Sequence, residues 1–331
     1  DDTENEIGPL ISKRQRDRVA SFVERAAELK HIEITTGGRP GAGGGFFYQP
    51  TVVAGAPHVP RPAGRSRPLA SHAGPVFQVD YFPADDELYL SVGDRVRARC
   101  SCAEGRVEVS IAQPEAEHLW VAAHPVFVVP FFEMLKRRGY FNLHAAGVSV
   151  GDTSLLFAGH STAGKSTLAV ALCRAGFDFL SDDYVFLSRR DDDLDVLGFP
   201  EELDLLDGTI ALFPELRPLL DVAMRPGWVK RQVRVEEYWS APRTSRSAPG
   251  VLVFPSVADS PTSAIEPMTP RDAIADLVPN IQFTNAALAQ THLDVITDLV
   301  RRCGCYRLKT GRDLDTLPAR LRDLVEAHRA R

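Results

Sequence analysis

Gly159-His160-Ser161-Thr162-Ala163-Gly164-Lys165-Ser166-Thr167 is the stretch on which the fold reading turns. It has the pattern Gly-x-x-x-x-Gly-Lys-Ser/Thr, after the apolar run Leu155-Leu156-Phe157-Ala158 and before a helix-compatible segment, Ser166 to Cys173. Strand, glycine-framed loop and helix in that order predict a phosphate-binding P-loop. Gly159 and Gly164 let the backbone turn its N–H groups inward around a phosphate, and the helix N-terminus adds the positive end of its dipole. Lys165 is expected at the β- and γ-phosphates and Ser166 on Mg²⁺, so the stretch predicts a bound nucleoside triphosphate with magnesium. The nucleotide-binding set is then Gly159, Ser161, Thr162, Ala163, Gly164, Lys165, Ser166 and Thr167.

Downstream, Asp182 and Asp183 stand in Phe-Leu-Ser-Asp-Asp-Tyr-Val-Phe-Leu, with apolar runs on both sides. Such flanks predict the end of a buried strand, where open α/β sheets build their sites. Adjacent strand residues face opposite ways, so one carboxylate can face metal and the other substrate. Phosphoryl transfer to a hydroxyl needs such a group to accept or orient the proton, with a solvated Asp-Asp turn as the competing reading. Upstream, His144 in Phe-Asn-Leu-His-Ala-Ala-Gly-Val is a third candidate, although on spacing alone a packed or capping histidine is the commoner reading. Glu201 and Glu202, after a further strand, are candidates to complete the metal shell, with a surface turn as the competing reading. Lys230, Arg231 and Arg234 form a basic cluster for phosphate or an acidic substrate, or a solvated edge. Trp228, Tyr238 and Trp239 fit packing on a base or in the core equally well.

The wider chain is ordinary globular material: 331 residues, 44% hydrophobic and 25% charged, with a formal net charge of −6. A mildly acidic chain has no global electrostatic reason to bind nucleic acid or an anionic membrane. The charged start shows no apolar signal segment, and Leu119 to Phe132 is too short to span a bilayer, so a cytoplasmic location is expected. Five cysteines, an odd number, argue against a disulfide framework. Cys100/Cys102 and Cys303/Cys305 could pair into a four-thiolate site, but Cys-x-Cys is shorter than the usual zinc knuckle.

Residues 10–30 carry helical spacing, whereas 37–45 and 54–75 are rich in Gly, Pro and Arg and read as irregular. Residues 1–75 are thus expected to be a helix followed by a flexible segment. From 76 to 115 short alternating runs predict a small antiparallel β module. The remainder, 116–331, is the expected α/β core, with helices near 127–138, 166–174, 270–277, 286–302 and 317–328.

His144, the P-loop, Gly176 and the Asp182-Asp183 pair together resemble the catalytic domain of the HPr kinase/phosphorylase family, whose nucleotide-binding core is shared with phosphoenolpyruvate carboxykinases. The ending from Tyr306 to Asp315 resembles the C-terminal segment of related proteins found beside peptide-modification or other biosynthetic genes. The resemblance implies a kinase that moves the γ-phosphoryl group of ATP to a Ser/Thr-type hydroxyl of a peptide or protein. It implies catalytic roles for Asp183, Asp182, His144 and Lys165, and metal ligation by Ser166, Asp182 and Glu202. A small-molecule hydroxyl kinase and a nucleotide-switched regulatory ATPase are the alternatives. The sequence specifies neither the acceptor nor the oligomeric state, for which a homo-oligomer is one option.

Overall fold

The computed structural model describes residues 24, 33–36, 52–54, 70–73, 78–82, 86–92, 96–111, 126–199, 201–224, 229–281 and 286–330. Most of the expected N-terminal helix, the boundary between 115 and 116 and Trp228 lie outside these residues; Glu24 is helical.

The protein is a mixed α/β fold built on an eight-stranded sheet. Two short strands, β1 (Glu33–Thr36) and β2 (Val52–Ala54), pair with each other. A five-stranded antiparallel meander follows, in the order β3 (Ala70–Ala73), β4 (Gln78–Phe82), β5 (Glu87–Val92), β6 (Val96–Ser101) and β7 (Arg106–Ile111). Leu88, Leu90, Val96, Ala98 and Cys100 give it a buried face, the outcome that alternating apolar and polar residues dictate. Strand β3 falls inside the stretch read as irregular; its Ala-Ser-His-Ala carries no β-branched residue to announce it.

Helix α1 (Val129–Lys136) leads into the large sheet. Strands β8 (Phe141–Val150) and β9 (Thr153–Ala158) form a hairpin through Gly151, and helix α2 (Lys165–Arg174) follows the loop after β9. Next come β10 (Asp178–Ser181), β11 (Tyr184–Arg190) and β12 (Asp193–Gly198). The charged turn expected at 189–193 is only a tight reversal between β11 and β12, with Asp191 at φ +54°. A short pair, β13 (Leu203–Leu205) and β14 (Arg231–Val233), brackets α3 (Asp207–Leu212) and a 3-10 segment, Pro214–Asp221. After α4 (Val235–Tyr238), the long β15 (Arg246–Val257) runs parallel to β9 and to β17 (Gly304–Thr310), which β16 (Ala264–Pro267) flanks antiparallel. Helices α5 (Pro270–Leu277), α6 (Ala286–Arg302) and α7 (Leu317–Arg329) fall where the helical periods predicted them.

Both sheet faces are covered, which explains why the central strands read as continuous apolar runs. Along β9, Leu155 and Phe157 join a core with α2 and α7, while Leu156 and Ala158 join a core with α5 and α6. Strand β15 splits the same way, with Val251 and Val253 on one side and Leu252 and Phe254 on the other. At Gly250 a Cβ would come within 2.6 Å of the Ser154 carbonyl oxygen, so β15 passes β9 here only without a side chain. No helix of the described residues is long and apolar enough to cross a membrane.

Candidate functional site

Strand register assembles the site. Ala158, the last residue of β9, pairs with Ala145, and the next residue back along β8, His144, pairs with Tyr184 at the start of β11. The loop entrance, His144 and the Asp182-Asp183 bend therefore lie side by side, although they are separated in sequence. Strands β10 and β11 both run along β8, and the two aspartates interrupt them.

The loop turns through Thr162 at φ +71° and Gly164 at φ +96°, the latter at the N-cap of α2. Lys165 is buried, and its ammonium donates to the carbonyl oxygens of Gly159 at 2.8 Å and His160 at 3.2 Å. It also lies 3.2 Å from His144 Nε2. Burial lowers the Lys165 pKa, with the carboxylates of Asp183 and Asp182 opposing. His144 is lowered too, by burial first and then by the Lys165 ammonium, so its ring accepts from the lysine as a neutral imidazole. Thr167, counted in the nucleotide set, has its hydroxyl 2.9 Å from that of Thr209. That contact ties α2 to α3.

The two aspartates differ in environment. Asp182 is 1% exposed; its Oδ2 accepts the Asp204 N–H at 2.9 Å, and the Ser166 hydroxyl also bonds to it. Burial pushes its carboxyl up to about 7, with the Asp183 charge adding to the rise. Asp183 is more open, its side chain 24% exposed and its Oδ2 3.7 Å from the Lys230 ammonium.

Glu201 and Glu202, expected together at the metal shell, have two different parts in the fold. Glu201 Oε1 accepts the N–H groups of Asp182 at 3.1 Å, Asp183 at 2.8 Å and Tyr184 at 3.2 Å, and the Ser181 hydroxyl at 2.8 Å. It is the brace of the aspartate bend, and burial raises its carboxyl to about 7. Glu202, expected at a metal, instead pairs with Arg234 at 2.6 Å. Alternation in extended chain foretells that neighbours point apart, but not which one points inward. Among the described residues no group of three or more His, Cys, Asp or Glu side chains could hold a metal ion.

The remaining candidates disperse. Arg231 pairs with Asp207, and Trp239 donates to Glu215 while packing with Tyr238 on the α2 core. Cys100 and Cys102, with sulfurs 3.6 Å apart, belong to the meander, whereas Cys303 and Cys305 pack beside α5 and α6. The two pairs sit in separate clusters.

Comparison with known proteins points elsewhere than the motif. The model of the aldehyde dehydrogenase family matches residues 1–87. A succinate-semialdehyde dehydrogenase of Paenarthrobacter nicotinovorans is 40% identical over 57 residues, 17% of this chain and 12% of that protein. The (Z)-2-((N-methylformamido)methylene)-5-hydroxybutyrolactone dehydrogenase of Acinetobacter baylyi is 32% identical over 90 residues, 26% of this chain and 17% of that protein. A succinate-semialdehyde dehydrogenase of Mycobacterium ulcerans, whose name carries NADP(+), is 40% identical over 52 residues, 16% of this chain and 11% of that protein. The chain thus spans less than a fifth of the length of each of these relatives. Among solved structures, the Hpr(Ser) kinase/phosphatase from Coxiella burnetii covers 57% of this chain and 90% of its own, at 14% identity and a TM-score of 0.30. A likeness that weak carries no argument.

These matches correct the reading of the chain as an HPr-kinase-related phosphotransferase. The family and the relatives found by sequence are dehydrogenases, so the kinase assignment, ATP with Mg²⁺, and a peptide, protein or small-molecule hydroxyl acceptor are withdrawn. The physical reason for the error is plain. His144, the loop and the aspartate pair fix a local geometry, and a local geometry does not name a reaction. The loop itself lies outside the matched residues.

Proposed function

We propose that the loop Gly159–Thr167 holds the phosphate groups of a nucleotide, and that this nucleotide is a nicotinamide dinucleotide used in aldehyde oxidation. The observation that carries the first half is the buried Lys165 ammonium, whose partners among the described residues are the loop's own carbonyls and His144. A lysine desolvated in that way is poised to exchange those weak acceptors for a phosphate oxygen. The left-handed turns at Thr162 and Gly164 and the start of α2 fit an anion of that shape. The second half rests on the dehydrogenase match over residues 1–87 and on the NADP(+) in one relative's name.

In this reading the core, 116–331, is a P-loop α/β unit and 76–115 a separate β-rich module; the family match runs past the boundary at 75 to residue 87. Gly159, Ser161, Thr162, Ala163, Gly164, Lys165, Ser166 and Thr167 form the phosphate cradle. A bound nicotinamide supplies a hydride acceptor. Asp183 takes the proton of the water that adds to the aldehyde carbonyl, and Asp182, through Ser166, positions the start of α2. Neutral His144 holds the Lys165 ammonium toward the loop.

Calorimetry with pyrophosphate, NAD⁺ and NADP⁺, paired with reduced-nicotinamide absorbance in the presence of succinate semialdehyde, tests both halves. Binding of pyrophosphate and a dinucleotide, weakened together in Lys165→Ala, with aldehyde-dependent reduction, is the expected result. Pyrophosphate binding without dinucleotide binding overturns the second half, and no pyrophosphate binding overturns the first.

A further inference from the structure

Beside the aspartate bend, a cavity of about 150 Å³ is lined by Leu219, Val222, Ala223, Met224, Lys230, Arg231 and Gln232. Its wall is apolar where the end of the 3-10 segment passes, and cationic where β14 begins. We infer that this cavity is a subsite for a small aliphatic monocarboxylate, gripped by Lys230 with its chain on Leu219, Val222 and Met224.

Three observations converge on that ligand. The volume is well below the ~300 Å³ at which pockets begin to hold drug-sized molecules, so only a short chain fits. The two cations are not equivalent. Arg231 spends its guanidinium on Asp207, on the Val222 carbonyl and on the Leu220 carbonyl at 3.4 Å, so it builds the rim. Lys230 makes one ion pair among the described residues, to Asp183 at 3.7 Å, beyond hydrogen-bond reach. Its ammonium keeps donors for a ligand. The anion is also limited to one charge, because Asp183 already faces the same ammonium and a dianionic phosphate would be repelled there. A carboxylate on Lys230 and a hydrocarbon chain on Leu219 and Met224 satisfy both ends of the cavity.

The inference does not depend on what the loop holds, and the test separates the two. Ligand-observed NMR and calorimetry compare butyrate with butyramide, which has the same shape without the charge. Butyrate is expected to bind at least about tenfold more tightly, and Lys230→Gln to erase that preference. Ala223→Trp, which fills the cavity at an exposed position, should abolish butyrate binding while pyrophosphate binding persists. Lys165→Ala should do the converse. Equal binding of butyrate and butyramide, no butyrate binding, or full butyrate binding in a folded Ala223→Trp variant overturns the assignment.

Discussion

The loop Gly159–Thr167 and the bend Asp182-Asp183 lie against the same strand, yet they are held in opposite ways. In the loop, the Lys165 ammonium rests on backbone carbonyls that a ligand can replace. The bend is braced from behind: one oxygen of Glu201 takes three backbone N–H groups and a hydroxyl. The difference teaches that a site needs one part able to change partners and another that cannot. Mutations in the two parts should therefore register on different instruments, stability for the bend and affinity for the loop.

The largest effect is expected at the brace. Glu201→Ala leaves three N–H donors and the Ser181 hydroxyl without that acceptor, in a region buried from water. At about 1–3 kcal/mol per stranded group, partly recovered by entering water, the loss should reach about 3 kcal/mol or more. A lowered urea midpoint at unchanged slope would show it. A change below about 1 kcal/mol would mean the bend holds its shape without Glu201.

The same carboxyls make stability depend on pH. Asp182 and Glu201 both bind their protons more tightly in the fold than in the unfolded chain, each raised to about 7. Their contribution is therefore complete below about pH 4 and is lost as pH rises toward 7, as buried carboxylates charge. For Asp182 alone the loss between about pH 5 and 7.5 is on the order of 2–3 kcal/mol. Asp182→Asn should flatten the profile of unfolding midpoint against pH over that range. An unchanged slope would place the titration elsewhere.

At the loop the expected effect moves to binding. Lys165→Ala should weaken pyrophosphate by about 10–100-fold, the weight of one charge-assisted contact, with stability altered by no more than about 1 kcal/mol. Removing a buried ammonium also relieves its desolvation, which offsets the lost bonds to the Gly159 and His160 carbonyls. A variant that loses stability but keeps pyrophosphate would reverse the contrast between loop and bend.

This contrast also sorts what the sequence could show. Glycine spacing, the apolar run before it and the helical period after it are local signals, and β9, the loop and α2 appear where they were expected. The short strands of 78–111 were legible for the same reason, since alternation over four to six residues is local. Other features depend on partners distant in sequence. Glu201 became a brace only because the end of β12 returns to β10, where the Ser181 hydroxyl meets the Phe199 carbonyl. The partition of Lys230 and Arg231 between ligand and rim depends on Asp183 and Asp207, neither of which any spacing rule ties to them. The overreach came from treating three local features as a reaction, while the match to dehydrogenases lies in residues 1–87, where the sequence predicts a helix and flexible segment to 75 and then the start of the β module.

Thr162 offers the smallest and sharpest probe of the loop. A threonine at φ +71° occupies backbone space that glycine enters freely and a β-branched residue enters only under strain, at about 1 kcal/mol or more. The surrounding chain imposes that conformation: the Ala163 N–H reaches back to the His160 carbonyl at 3.3 Å, and Gly164 continues the left-handed turn. Thr162→Gly removes the strain in the fold but also frees the unfolded chain, and the two terms oppose each other. The net gain should be about 0.5 kcal/mol, readable as a small rise in Tm. Pyrophosphate affinity should change little if the strain serves only to shape the turn. If affinity falls severalfold instead, the left-handed threonine is what holds the loop in its phosphate-accepting shape, and the loop is less free to rearrange than its replaceable bonds suggest.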